Sequence, residues 1–257
     1  ASEKAELECL LIINQVNRLW LNNQLYVELS DARFAETVVD ALGLTAAERT
    51  ELFEALFNKN LPVYERLIEA YTENTLYSLL KIWPRLFGSI EEVQQELDAI
   101  ILPMSAQRLV NGVMQMAQAV QKLSSQKVRI DFSSPAPQPY YTGLTFRGYI
   151  DGVASYIVSG GRYDKLLANF QKEPTPAVGM GFDLDVLASV ADITLPQAKP
   201  SYVYIGEDAW DVVADYVLAH PTYSLVLADT LAEAREQAAA DGAILYVVTE
   251  EGVKADA

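Results

Sequence analysis

A chain of 257 residues, about half of them apolar, can bury one sizeable core with a smaller one beside it. Its 35 acids against 19 bases leave a formal net charge of −16, which opposes nucleic-acid binding, because gripping a phosphate backbone needs clustered Lys and Arg. One cysteine, Cys9, and one histidine, His220, exclude an internal disulfide and a multi-histidine or cysteine-based metal cluster.

A reducing, cytoplasmic setting fits the single cysteine, and no run approaches the roughly 20 apolar residues that span a bilayer, so no membrane association is expected. The chain opens inside an amphipathic pattern. Cys9, Ile12, Ile13, Val16, Leu19 and Trp20 share one face, which predicts a helix over residues 3 to 20 and an expectation that residues precede Ala1. Leu25 to Leu29 then reads as a strand from its β-branched and aromatic content.

From about Asp31 to Ser125 the pattern is helical throughout and predicts an insertion of five or six helices. Capping boxes stand at Thr45-Ala46-Ala47-Glu48 and Ser89-Ile90-Glu91-Glu92, and Gly43, Pro62, Pro84, Gly88 and Pro103 break the run. The last of these helices, Ala106 to Leu123, carries Leu109, Val113, Met116, Val120 and Leu123 at helical spacing, a stripe assigned to core packing.

Alternation of Val128, Ile130 and Phe132 predicts a strand over Lys127 to Phe132, followed by strands at Tyr140 to Ile150 and Val153 to Val158. Asp151-Gly152 makes the turn between the last two, Gly160-Gly161 ends the hairpin, and Tyr163 to Phe170 starts a helix. A loop at Glu173-Pro174-Thr175-Pro176 leads to the apolar stretch Ala177 to Val190. Pro196 and Pro200 bracket a linker to a small βαβαβ unit of three strands, at Ser201 to Ile205, Tyr223 to Ala228 and Ala243 to Val248. Residues 200 to 257 carry eleven acids against two bases, a balance that repels RNA. The domain reading is therefore a core of 1–30 with 126–195, an insertion of 31–125, and a small α/β domain of 196–257.

Three short motifs fall within about forty residues: Tyr140-Tyr141-Thr142-Gly143, Gly160-Gly161-Arg162-Tyr163-Asp164, and Thr175 to Gly181. Each alone is weak, since Gly pairs usually make turns and paired tyrosines on a strand are usually half buried. Their order and spacing together resemble the second half of the histidyl-tRNA synthetase catalytic domain. The resemblance covers roughly residues 1 to 190. It implies an α+β fold, a class II aminoacyl-tRNA synthetase-like antiparallel sheet with a helical insertion, and a small C-terminal unit that begins like an anticodon-binding domain and is truncated.

The departures bear on function. Where the family has an Arg that approaches the scissile carboxylate and phosphate, this sequence has Ala136; where it has an Arg that clamps the ATP triphosphate, this sequence has Val186, with Asp183 close by. Losing one such cation typically costs on the order of 10²- to 10⁴-fold in rate, so adenylation is not expected. What remains is the amino-acid pocket. The resemblance implies a histidine site at Tyr140, Tyr141, Thr142, Gly143, Gly160, Gly161 and Arg162, although Arg162 and Asp164 could equally bridge a hairpin to its helix. Arg147 stands where an acidic residue is usual and is left without a role.

A family member with a histidine pocket, no ATP clamp and no basic RNA-binding module resembles the regulatory subunits of hetero-oligomeric ATP phosphoribosyltransferase. That branch implies a short catalytic subunit as partner, histidine as effector, a homodimer of regulatory subunits within the complex, and no cofactor or metal. Two other readings stay open on the residues: a divergent histidyl-tRNA synthetase, and a tRNA-sensing pseudo-synthetase, against which the charge balance speaks.

Overall fold

A computed structural model describes residues 4–124, 126–170, 175–192, 199–206 and 209–256. The chain divides into two compact units, Ala1–Ile193 and Thr194–Ala257. Among the described residues no helix is long and apolar enough to cross a membrane.

Helix α1 spans Lys4–Trp20 and strand β1 spans Tyr26–Asp31, as the periodicity predicts within a residue or two. The buried face of α1 is rotated from the one expected. Leu10, Ile13, Asn14, Asn17 and even Glu6 point inward, while Ile12, Leu19 and Trp20 are exposed. The inward polar groups have specific work. The Asn17 amide donates to the carbonyl of Leu25 (3.2 Å) and to Gln126 Oε1 (3.3 Å), and its Oδ1 accepts from Leu25 N (2.9 Å), so one buried side chain stitches α1 to the start of β1.

Six helices follow: α2 (Arg33–Leu42), α3 (Ala46–Phe57), α4 (Leu61–Ile68), α5 (Tyr77–Ile82), α6 (Ile90–Asp98) and α7 (Met104–Leu123). Their ends obey local chemistry. Gly43, at φ +70°, closes α2 in the left-handed conformation, and both predicted capping boxes form, Thr45 with Glu48 and Ser89 with Glu92. On α7 the buried stripe is Ala106, Val110, Val113, Met114, Ala117 and Val120, so the stripe is core as expected but displaced toward the smaller residues, and Leu123 is exposed. The run is not purely helical. Strand β2, Phe87–Gly88, lies between α5 and α6 and pairs antiparallel with β3 (Lys127–Asp131).

The fully buried Trp83 shows how these helices join the sheet: its Nε1 donates to the carbonyl of Phe132 (2.8 Å), and the Phe34 ring packs against both Trp83 and Phe132. Helices and sheet thus share one apolar core.

The remaining strands of the main sheet are β4 (Leu144–Tyr149), β5 (Val158–Arg162) and β6 (Val178–Phe182), and α8 (Leu184–Val190) follows. The order is β2-β3-β1-β4-β5-β6, antiparallel except for the parallel pair β1 and β3. This is the class II-like mixed fold that the sequence predicts.

Several boundaries differ. Residues 140 to 143 precede β4 rather than belonging to it, because Pro137 and Pro139 hold the chain in turns until Leu144. The expected strand at Val153 to Val158 is instead loop up to Ile157, opened by the Asp151-Gly152 turn with Gly152 at φ +85°. Gly160-Gly161 lies inside β5, not at its end. Residues 163 to 170 form a short 3-10 turn at Leu166–Asn169 rather than an α-helix. Glu173 and Pro174 of the expected loop, and Pro196 of the expected linker, lie outside the described residues.

The second unit contains β7 (Ser201–Ile205), α9 (Trp210–Ala219), β8 (Ser224–Leu225), α10 (Leu231–Ala240), β9 (Ile244–Thr249) and β10 (Gly252–Asp256). Its sheet has four strands rather than three, ordered β10-β9-β7-β8. The helix crossovers make β7 parallel to β8 and β9, as expected, and the additional β10 folds back antiparallel on β9.

Candidate functional site: the open face of the main sheet

Alternation along each strand sends one set of side chains into the core and the other to an open face. On β1, Val27 and Leu29 are buried while Tyr26, Glu28 and Ser30 face outward; Arg129 and Asp131 on β3 and Arg147 and Tyr149 on β4 share that open face. Register aligns them in a row. Glu28 sits opposite Arg129 on one side and Arg147 on the other, and Arg147 sits opposite Ser159 on β5.

The row lies under two lobes of one trough. A tyrosine lobe of about 290 Å³ is lined by Tyr140, Tyr141, Tyr156, Ser159, Gly160 and Arg147, with Phe57 from the end of α3 at its rim. A charged lobe of about 630 Å³ carries Glu28, Lys59, Arg85, Asp131, Tyr149 and again Arg147. A narrow cavity of about 30 Å³ shares Arg147 with both and is lined also by Glu28, Ala136 and Thr145. Lys59 is a clip rather than a free charge: its ammonium donates to Ser133 O (3.2 Å), Ser133 Oγ (2.7 Å) and Ser134 Oγ (2.9 Å), tying the α3–α4 turn to the segment after β3.

The electrostatics of the trough are strained toward neutrality. Burial, reinforced by the Asp131 carboxylate, pushes the Glu28 carboxyl up from 4.5 to about 7, against the lowering influence of Arg147, Arg129 and Lys59. Burial likewise raises the Tyr141 hydroxyl above the usual phenol range, and the neighbouring Tyr140 hydroxyl adds to the rise. Glu28 therefore holds more protons in the folded state than unfolded between about pH 4.5 and 7, so its contribution to stability is complete below 4.5 and declines as pH rises through 7. Glu28→Gln should remove that slope: urea midpoints of wild type and variant are expected to diverge in the variant's favour from pH 5 to pH 8. Parallel curves would mean Glu28 does not titrate in this window.

The predicted histidine-site residues divide between the trough and the frame behind it. Tyr140, Tyr141 and Gly160 line the tyrosine lobe, and the Tyr140 ring packs on Tyr141 at 4.7 Å and edge-on to Tyr163 at 6.2 Å. Thr142, Gly143, Gly161 and Arg162 do not line it. Thr142 N donates to the carbonyl of Arg162 (2.8 Å), Thr142 Oγ1 accepts from Asp164 N (2.9 Å), and the Gly143 carbonyl accepts from Ala32 N (2.9 Å). A Cβ at Gly143 would press on the Arg162 side chain at 3.0 Å, and one at Gly161 on the carbonyl of Leu144 at 2.6 Å. Arg162 turns to α1, where Nε and Nη2 each bond a Glu6 carboxylate oxygen at 2.5 Å, and Nη1 reaches Asp164 at 3.1 Å. Asp164 Oδ1 also accepts from Ala177 N (3.1 Å), fixing the strand that follows. The motif's arginine and aspartate thus hold the backbone that presents the tyrosines.

Of the two positions read as lost catalytic arginines, Ala136 offers only a methyl group to the narrow cavity, and Val186 packs against the main core from α8, its N–H donating to the N-cap Asp183 (3.1 Å). Arg147, Glu28 and Asp131 were not among the expected site residues. The alternation of Tyr26, Glu28 and Ser30 was the available signal, since it marks a strand with one polar face.

A family model described as histidyl-tRNA synthetase matches residues 1–187. The chain is 41% identical, over its whole length, to the ATP phosphoribosyltransferase regulatory subunit of Limosilactobacillus fermentum, and 43% identical over 93% of its length to that of Lactiplantibacillus plantarum. It spans 67% and 62% of those two relatives' lengths. Among solved structures it is similar to an ATP phosphoribosyltransferase regulatory subunit/histidyl-tRNA synthetase from Bacillus halodurans, with a TM-score of 0.66, 22% identity, and coverage of 92% of this chain and 63% of that one. It is also similar to the ATP phosphoribosyl transferase complex from Thermotoga maritima, with a TM-score of 0.54, 17% identity, and coverage of 70% and 61%. At these identities the two structures speak to the fold.

Proposed function

We propose, from the premise that this chain belongs to the histidyl-tRNA synthetase family, that it acts as a regulatory subunit of ATP phosphoribosyltransferase and performs no catalysis of its own. The observation that carries this reading is the 41% identity across the entire chain to a relative bearing that name. The site supports it. Ala136 and Val186 supply no cation where adenylate chemistry would need one, and the acidic N-cap Asp183 would repel a triphosphate.

The retained aromatic lobe is where histidine binds. Tyr140, Tyr141 and Tyr156 offer flat faces and hydroxyls suited to an imidazole ring. A ligand alters a partner's activity only through unequal affinity for two states, so histidine here favours an assembly in which a short catalytic subunit is less active. The working unit is then a hetero-oligomer built on a homodimer of these chains, in the cytoplasm, with no role for tRNA.

The test is phosphoribosyl-ATP formation by the reconstituted complex across a histidine titration. Activity should require this subunit, and Tyr141→Ala should weaken inhibition about ten-fold, for loss of the ring contact and one hydrogen bond worth together about 1–3 kcal/mol. An unchanged inhibition curve in a folded variant would place the effector elsewhere. Histidine-dependent ATP–pyrophosphate exchange at a synthetase-like rate would overturn the regulatory reading itself.

A further inference from the structure

Arg147 is the one charged residue among the described residues that line the tyrosine lobe. It is also common to the narrow cavity and the charged lobe, so it stands where all three meet. The side chain is partly buried on the third-from-edge strand of the sheet, yet among the described residues its guanidinium forms no hydrogen bond and no ion pair within 4 Å. Its company is electrostatic only. Glu28 faces it across the β1–β4 ladder, and the Tyr141 hydroxyl feels its charge.

This contrasts with the other buried or half-buried arginines. Arg162 is saturated by Glu6 and Asp164, Arg49 pairs with Glu36 and Asp40, and Arg129 lies over the Tyr26 ring at 4.3 Å. A partly desolvated guanidinium with five donors and no acceptor is an incomplete arrangement that an anion completes. Glu28 does not serve: it faces Arg147 across the ladder without coming within 4 Å of the guanidinium. Position 136, in the same narrow cavity, contributes only a methyl group, so no second cation competes for an anion there.

We propose that Arg147 is the carboxylate clamp of the trough, gripping the α-carboxylate of an amino acid whose ring lies against Tyr140 and Tyr141. The inference rests on the histidine reading given above and names the group that selects the acid end of the ligand. The planar fork of Arg suits a carboxylate in two-point contact, which a lysine ammonium cannot reproduce.

The experiment is calorimetric titration of the full-length protein with L-histidine and with L-histidinol, which keeps the imidazole and the amine but has no carboxylate. Wild type should prefer histidine by roughly 10- to 100-fold, the range expected when a charge-assisted pair is lost. In Arg147→Gln the histidine affinity should fall by that factor while the histidinol affinity stays level, and Arg147→Lys should fall between. Thermal melts of each variant report that the fold is retained; the open-face position of Arg147 makes this the expected result. Equal affinity of wild type for the two ligands, or unchanged histidine binding in Arg147→Gln, overturns the clamp and leaves the histidine site standing. Absence of histidine binding by wild type overturns the histidine reading, and the clamp with it.

Discussion

Replacing Glu6 by Ala is expected to destabilise the larger unit by about 3–5 kcal/mol, the cost of taking from a buried cation its two-point carboxylate contact. Glu6 is 4% exposed and Arg162 9%, and their two-point contact at 2.5 Å joins α1 to β5 across 156 residues of chain. Asp164, on the third nitrogen, is too exposed to neutralise Arg162 alone. Equilibrium urea unfolding measures the loss, and Glu6→Gln should recover part of it by keeping one hydrogen bond. A loss under 1 kcal/mol for Glu6→Ala would mean the pair is solvated, and would return Arg162 to candidacy as a ligand-facing group.

Gly160→Ala should cost about 3 kcal/mol, near the top of the usual range for forcing atoms into a filled core. A Cβ there collides with the carbonyl oxygen of Gly179 on β6 and comes within 2.5 Å of the Phe146 ring. Relief requires β6 to separate from β5 or the ring to move, and Phe146 also lines the tyrosine lobe. Stability should fall, and with it the affinity for histidine that the proposed site would have. Gly181→Ala is the control, because its Cβ would meet open space on the same strand pair. Equal effects from the two substitutions would show that strand entropy, not steric exclusion, governs these glycines.

The sequence is most readable where the determinant is local. Both capping boxes and the Gly43 stop involve residues within a few positions of one another, and the Val128, Ile130, Phe132 alternation needs only the pleat of its own strand. Where the determinant is distant the pattern misleads. Gly160-Gly161 resembles a turn until β6 and Phe146 close over it and leave no room for a side chain. Two residues, Phe87 and Gly88, become a strand only because β3 lies beside them, more than forty residues on. Polar Glu6 and Asn17 occupy the inner face of α1 because their partners Arg162, Leu25 and Gln126 meet them there, and a hydrophobic face count cannot see those partners. The candidate site divides in the same way. The tyrosines are legible from their motif, whereas Arg147 gains meaning only from the strand register that puts it beside Glu28 and beneath the tyrosine lobe.

The position of β1 between β3 and β4 also sets a timetable. Neither neighbour exists until long after β1 has left the ribosome: Gln126, at the threshold of β3, is 101 residues beyond Leu25, with which it bonds, and β4 is later still. At synthesis rates of about 5–20 residues per second, β1 waits some ~5–20 s for its first partner. During that interval Val27 and Leu29 belong to a nascent strand with two open edges, the kind of segment that pairs with the wrong chain. The helices made meanwhile share one core with the sheet and cannot complete their own burial before β3 and Phe132 arrive, so holdases should engage the nascent chain most strongly between the emergence of residue 31 and that of residue 132.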